Sequence, residues 1–296
     1  RELYPFQGKY FDRRGMKMHY LDESEGAPIL CVHGNPSWSI YYRAVLEKFS
    51  SSHRCIVPDH LGCGLSDKPG DGDYDFLYQS RVDDLEALLD FLGIRSQLTL
   101  VLHDWGGAIG LGYAARHPER VERLVLSNTA AFFKPPGKSL PWQLYLARNT
   151  PLGSLLVLLF NAFAWGATKT CVAKRKMSPL LQRAYCAPYD SWHNRKATLR
   201  FVQDIPLEEG DPSYRALEQT EQALENFRET PCLVLWGEKD YVFDTSFLEE
   251  WKKRLPKAQF HSFPDCGHYL LEDAPDEALA LMEEFFEANP IEEPKE

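Results

Sequence analysis

Six short apolar runs that do not alternate constrain this chain most: residues 29–32, 54–57, 98–102, 124–127, 232–236 and 259–263. Strands that read this way are covered on both faces, as in a parallel sheet. Between them lie segments of helical period. Residues 79–92 place Val82, Leu85, Leu88, Leu89 and Leu92 on one side, with Gly93 as a stop. Residues 107–117 and 276–288 behave likewise. Strands alternating with helices predict an α/β fold built on a mostly parallel, doubly wound sheet. The alternation stops after Ser127 and resumes at Pro231. Residues 131–226 are therefore expected to form a helical cap inserted between two strands. The core is expected in two parts, 1–130 and 227–296.

Composition narrows the class. Hydrophobic residues make up 44% and charged residues 26%, close to a globular average, which excludes a disordered or collagenous chain. The net charge of −10 comes without a basic stripe, so nucleic acid is not an expected partner. The cysteines number seven and form no C-x-x-C pair. Cys31, Cys55 and Cys232 sit in strand-like runs as small hydrophobes, which fits a reducing compartment. With no secretory apolar stretch near Arg1, a cytoplasmic location is expected. The most apolar segment, 152–167, is shorter than the roughly 20 residues a bilayer span needs. It is expected to be a buried or pocket-lining helix. The polar tail 289–296 is expected to fray.

The chemistry is carried by LTLVLHDWGGAIGLGYAARHP, where a strand meets His103-Asp104-Trp105-Gly106-Gly107 and a helix follows. This is the strand–turn–helix context of a nucleophile elbow, with Asp104 where Ser normally stands. The substitution has a chemical meaning. A Ser attacking a saturated carbon would leave an ether, which activated water cannot open. A carboxylate leaves an ester, and turnover is restored. Asp104 thus points to displacement at sp3 carbon or opening of a strained ring; a helix-capping Asp is the plainer alternative.

Asp240 follows the run 232–236, and His268 follows 259–263. The chain order nucleophile, acid, histidine is that of hydrolase triads, and strand carboxyl ends are where such sheets carry their sites. His268 is expected as general base and Asp240 as the acid that orients it. Asp265 reads as a turn former; Glu238 and the uncharged Asn128 are passed over. Asn35 and Trp105 offer backbone N–H groups for an oxyanion, plus a side-chain amide and an indole N–H for a leaving anion. His33 and His103 are expected to be structural. Neither metal nor cofactor is expected.

The motifs HGNPSW, PDHLGCGLSDKP, HDWGG, WGEKD and DCGH together resemble the haloalkane dehalogenase family of the α/β-hydrolases, over nearly the whole chain. The Asp-His-Asp set with Asn35 and Trp105 resembles its third subfamily. Leu102 departs from the Gly common at hydrolase elbows. Segments NTAAFF, PWQ, FNAF, APYDSWHNR and RFVQDIPL are similar to the β-lactone decarboxylases of bacterial long-chain olefin biosynthesis, which belong to that subfamily. The resemblance implies an α/β-hydrolase fold with Asp104, His268 and Asp240 as the catalytic set and Asn35 with Trp105 as the halide-holding pair. It implies a small apolar substrate, and a homo-oligomer or assembly with olefin-pathway enzymes. The first expectation is haloalkane hydrolysis to alcohol and halide; the alternative is decarboxylation of a cis-3-alkyl-4-alkyloxetan-2-one. Epoxide hydrolysis, using cap tyrosines such as Tyr185 and Tyr189, and a non-catalytic binding protein are the lesser alternatives.

Overall fold

The computed structural model describes residues 3–291. Its sheet contains β1 (Lys9–Arg13), β2 (Met16–Glu23), β3 (Pro28–Val32), β4 (Arg54–Pro58), β5 (Leu98–Asp104), β6 (Val121–Thr129), β7 (Cys232–Gly237) and β8 (Gln259–Phe263). The order across it is β1-β2-β4-β3-β5-β6-β7-β8. All pairings from β4 to β8 are parallel, whereas β1 and β2 form an antiparallel hairpin whose second strand runs against β4.

The hairpin was not expected from the apolar runs. Its strands are mixed in polarity, and β1 is largely exposed. The turn between them, Arg14-Gly15, has φ of 55° and 82°, the positive pair that a two-residue hairpin loop requires. The strand β8 also differs from expectation. It lies at the sheet's edge and is partly exposed, so it is not covered on both faces. The central strands β3, β5 and β7 are buried throughout. Alternate residues feed two cores: Leu30, Val32, Leu100 and Leu102 join one, and Ile29, Cys31 and Val101 the other, as the two-residue period of a strand dictates. All seven cysteines are free and buried.

Helices Tyr78–Phe91, Trp105–Arg116 and Pro275–Ala288 lie within two residues of their expected bounds. Between β6 and β7 the described residues contain helices and loops but no strand. The expected long buried helix over 152–167 is instead two, Pro151–Phe160 and Ala162–Thr170, bent by 83°. The break is at Asn161, whose left-handed backbone (φ 52°) ends the first helix and whose amide donates to the Tyr189 carbonyl. Leu152, Leu155, Leu159 and Phe160 face solvent while Val157 is buried, so the first half is only partly buried and none of it lines the cavity. Among the described residues no single helix is long and apolar enough to cross a membrane. The expected frayed tail lies outside the described residues from 292 onward.

The chain runs from β3 to β4 on one side, then returns to place β5 on the other. Strand order reverses there, opening a crevice at the carboxyl ends of β3 and β5. Close approach of the following helix depends on glycine. A Cβ on Gly106 would lie 1.9 Å from the Val32 carbonyl oxygen, and one on Gly107 1.8 Å from Thr129 Oγ1. Gly106→Ala is expected to destabilise the fold by about 3 kcal/mol, the upper part of the overpacking range, because backbone rather than a movable side chain stands in the way. Denaturant unfolding checks this.

Candidate active site

Asp104 is the last residue of β5 and directly precedes the helix Trp105–Arg116. Its backbone, at φ 53° and ψ −130°, is in a region a non-glycine residue occupies only under constraint. The constraint is visible. Thr129 Oγ donates to the Asp104 carbonyl, the Asn35 N–H donates to Asp104 Oδ1 at 2.7 Å, and a Cβ on Gly34 would lie 2.0 Å from that oxygen. The sharp bend thereby turns the carboxylate out of the sheet into the crevice.

β7 and β8 bring the other groups. His268 Nδ1 donates to Asp240 Oδ2 at 2.7 Å, leaving Nε2 3.4 Å from Asp104 Oδ2. Asp240 is held in place by the Val242 N–H at 2.7 Å and by Asn128 Nδ2 at 3.0 Å. Asp265 stands 53% exposed beside Lys174, and Glu238 is exposed; neither reaches His268.

All three groups are buried. Burial alone would lower the His268 pKa, but the carboxylates of Asp240 and Asp104 outweigh it and raise it to about 10. Burial would raise Asp104, and the neighbouring His268 instead holds its carboxyl below the usual range. At rest His268 holds its proton between the side chains of Asp240 and Asp104.

Two further residues complete the frame, of which only Asn128 departs from expectation. Asn128, set aside for lack of charge, bridges the ends of β6 and β7. Its amide accepts from the Gly237 N–H at 2.8 Å and donates to the Gly237 carbonyl and to Asp240. Its φ of 38° at a strand end is intelligible only with the partner strand in view. His103, read as structural, donates from Nε2 to the His268 carbonyl at 2.8 Å and stacks on Tyr41. Burial and the nearby His268 push its pKa down to about 3, so it is neutral.

Asn35 and Trp105 both line the cavity above Asp104. Asn35 is less free than expected, because its Nδ2 donates to the Thr198 carbonyl at 2.9 Å. One of its two amide hydrogens remains for a ligand. The Trp105 indole N–H has no partner among the described residues, and its ring leans on Phe201. The cavity, about 260 Å³, is walled by Phe132, Phe133, Leu144, Phe163, Val202 and Phe243, with His268 and Asp104 at its base. Its walls are overwhelmingly apolar. Tyr185, a cap tyrosine considered for protonating an epoxide, points elsewhere and donates to Glu272. Tyr189 reaches the Ser37 carbonyl. No group of metal-ligating side chains occurs among the described residues.

Residues 27–275 match the family described as alpha/beta hydrolase fold. The chain belongs to that family. It is 52% identical to the cis-3-alkyl-4-alkyloxetan-2-one decarboxylase of Shewanella oneidensis, over 96% of this chain and 89% of that one. Identity to haloalkane dehalogenase 2 of Mycobacterium bovis is 30%, over 96% of each chain. Among solved structures, the haloalkane dehalogenase DbeA of Bradyrhizobium elkani superposes with a TM-score of 0.82 at 27% identity, covering 96% of this chain and 99% of that one. These α/β-hydrolase relatives favour the decarboxylase, the alternative in the sequence analysis, over the dehalogenase placed first. The elbow motif does not separate the two readings, because both reactions need the same displacement at saturated carbon.

The raised His268 pKa has a stability consequence. The folded value of about 10 lies above the ordinary 6.5, so the stabilisation is fully present below about pH 6.5 and is lost as pH rises through about 10. The melting temperature of the native protein should fall over that window, and His268→Gln should remove this part of the fall.

Proposed function

We propose that this α/β-hydrolase decarboxylates a cis-3,4-dialkyl β-lactone, with Asp104 as nucleophile and Asp240, His268, Asn35 and Trp105 serving it. The observation that carries this reading is 52% identity to a β-lactone decarboxylase along nearly the whole chain. The Asp104 carboxylate at the base of an apolar cavity accords with it. Asp104 Oδ2, whose contact with His268 is long, is the freer oxygen. It attacks ring carbon C4 from behind the C4–O bond, forming an ester as the ring oxygen departs with its electron pair as a carboxylate. The Trp105 N–H and the remaining Asn35 N–H stabilise that anion. The bond from C3 to the new carboxylate then breaks, its electrons form the C3–C4 double bond, and carbon dioxide is released. The C4–O pair returns to Asp104. Inversion at C4 followed by anti elimination keeps both alkyl groups on one side, giving a cis alkene. The His268 imidazolium stabilises Asp104 as it leaves, and Asp240 keeps that imidazolium charged.

No water is consumed on this route. A haloalkane would take only the first half, because its ester contains no carboxylate to lose. Water activated by His268 would then have to open it.

Side-by-side assays of a cis-dialkyl β-lactone and 1-bromobutane test the proposal. The native protein should release carbon dioxide and cis alkene from the lactone, and Asp104→Ala should lose at least about 10³-fold in rate. With 1-bromobutane, His268→Phe should retain the butyl group on Asp104, detectable by intact mass. Bromide release with no alkene from the lactone removes the decarboxylase reading. Full activity in Asp104→Ala removes the covalent route.

A further inference from the structure

The surface opposite the cavity wall has features the reaction does not use. Helices Trp142–Asn149 and Pro151–Phe160 pack against each other and expose large apolar side chains. Trp142 is 71% exposed, Phe160 66%, Tyr145 58% and Leu159 55%. On the second helix Leu152, Leu155 and Leu159 fall at i, i+3 and i+7, one face of a helix, and none of them lines the cavity. On the helix Ala162–Thr170, Trp165 and Lys169 form an i, i+4 pair facing outward. A contiguous exposed apolar face of this kind marks an interaction surface.

Charge identifies the partner. Residues 131–189 contain eight Lys and Arg and no Asp or Glu, while the rest of the chain holds twenty-five Lys and Arg against all forty-three Asp and Glu. Lys138, Arg148 and Lys174 are paired with Asp244, Asp211 and Glu277. Lys169, Arg175, Lys176 and Arg183 form no ion pair among the described residues; nor does Lys134, which lines the cavity and is not part of this face. Arg195 places its guanidinium on the carbonyls of Leu158 and Leu159, at the end of the leucine-bearing helix, again without a carboxylate partner. Lys169 and Arg195, cations without a carboxylate partner beside exposed Leu and Phe with Trp and Tyr among them, match an anionic lipid surface, where aromatic side chains sit at headgroup depth. A protein interface would be depleted in lysine.

We infer that the helices Trp142–Asn149, Pro151–Phe160 and Ala162–Thr170 form an interfacial docking surface for anionic phospholipid membranes. The inference rests on the surface and not on the assigned reaction. Two of these helices, Trp142–Asn149 and Ala162–Thr170, also present Gln143, Leu144, Phe163 and Gly166 to the cavity. An apolar ligand dissolved in the membrane therefore meets the cavity wall behind these two helices of the docked face.

Cosedimentation of the full chain with vesicles tests this, comparing phosphatidylcholine alone with phosphatidylcholine containing phosphatidylglycerol. Partitioning should rise at least about tenfold with the anionic lipid and fall again in high salt. Leu155→Glu with Leu159→Glu should lower it about tenfold while leaving turnover of a short-chain soluble substrate and the melting temperature unchanged. A native protein that stays in the supernatant with both vesicles overturns the inference, as does a double variant that sediments like the native chain. A face that instead holds two copies together overturns it too. Light scattering would then show a native dimer, a monomeric double variant and no vesicle binding by either. The salt response of the native protein needs no variant, so a folding defect cannot obscure the result.

Discussion

The rest of the site depends on one backbone bend at Asp104, held where no side chain but hydrogen can fit beneath it. Three glycines make the bend. Gly34 yields to the carboxylate itself, Gly106 to the Val32 carbonyl and Gly107 to Thr129. A strained residue of this kind costs on the order of 1–3 kcal/mol and survives only because β3, β5 and β6 are locked in register around it. The strain has a use. It projects a carboxylate from the sheet's end with fixed orientation, and no loop motion is needed to aim it.

The electrostatics follow from that placement. A carboxylate buried alone would take up a proton. His268 prevents this, and His268 in turn stays charged because Asp240 stands on its other side. Asn128 and the Val242 N–H fix Asp240, and His103 holds the backbone of His268. Each residue thus secures the ionisation or position of the next, from a β6 end through β7 and β8 back to β5. On the proposed route, esterification of Asp104 removes a carboxylate that raises the His268 pKa, so the proton affinity of His268 depends on the covalent state of its neighbour.

Much of this was legible in the sequence. The buried parallel strands announced themselves as unalternating apolar runs, and the elbow, Asp240 and His268 followed from their positions after those runs. The site residues chosen from sequence converge in space. What escaped notice depended on partners distant in the chain. The β1–β2 hairpin carries little apolar signal because it covers an edge. Asn128 is uncharged and matters only through Gly237 and Asp240. The apolar stretch 152–167 was legible as hydrophobic but not as bent, because Asn161 breaks it through a bond to Tyr189, and hydropathy does not reveal which way a face points. The amide of Asn35 is likewise half occupied by the Thr198 carbonyl, a partner 163 residues away in the chain.

The Asp104 carboxylate in the cavity lining also sorts ligands by their heads. Long-chain fatty acids and neutral dialkyl rings have tails that an apolar cavity cannot tell apart. A free acid, however, would bring a second anion toward a site that already carries one, in surroundings of low dielectric where like charges repel over long range. On the proposed route, a ring-closed lactone hides the same carboxyl as a neutral ester until Asp104 opens it. The anion is thus created in place and never has to enter.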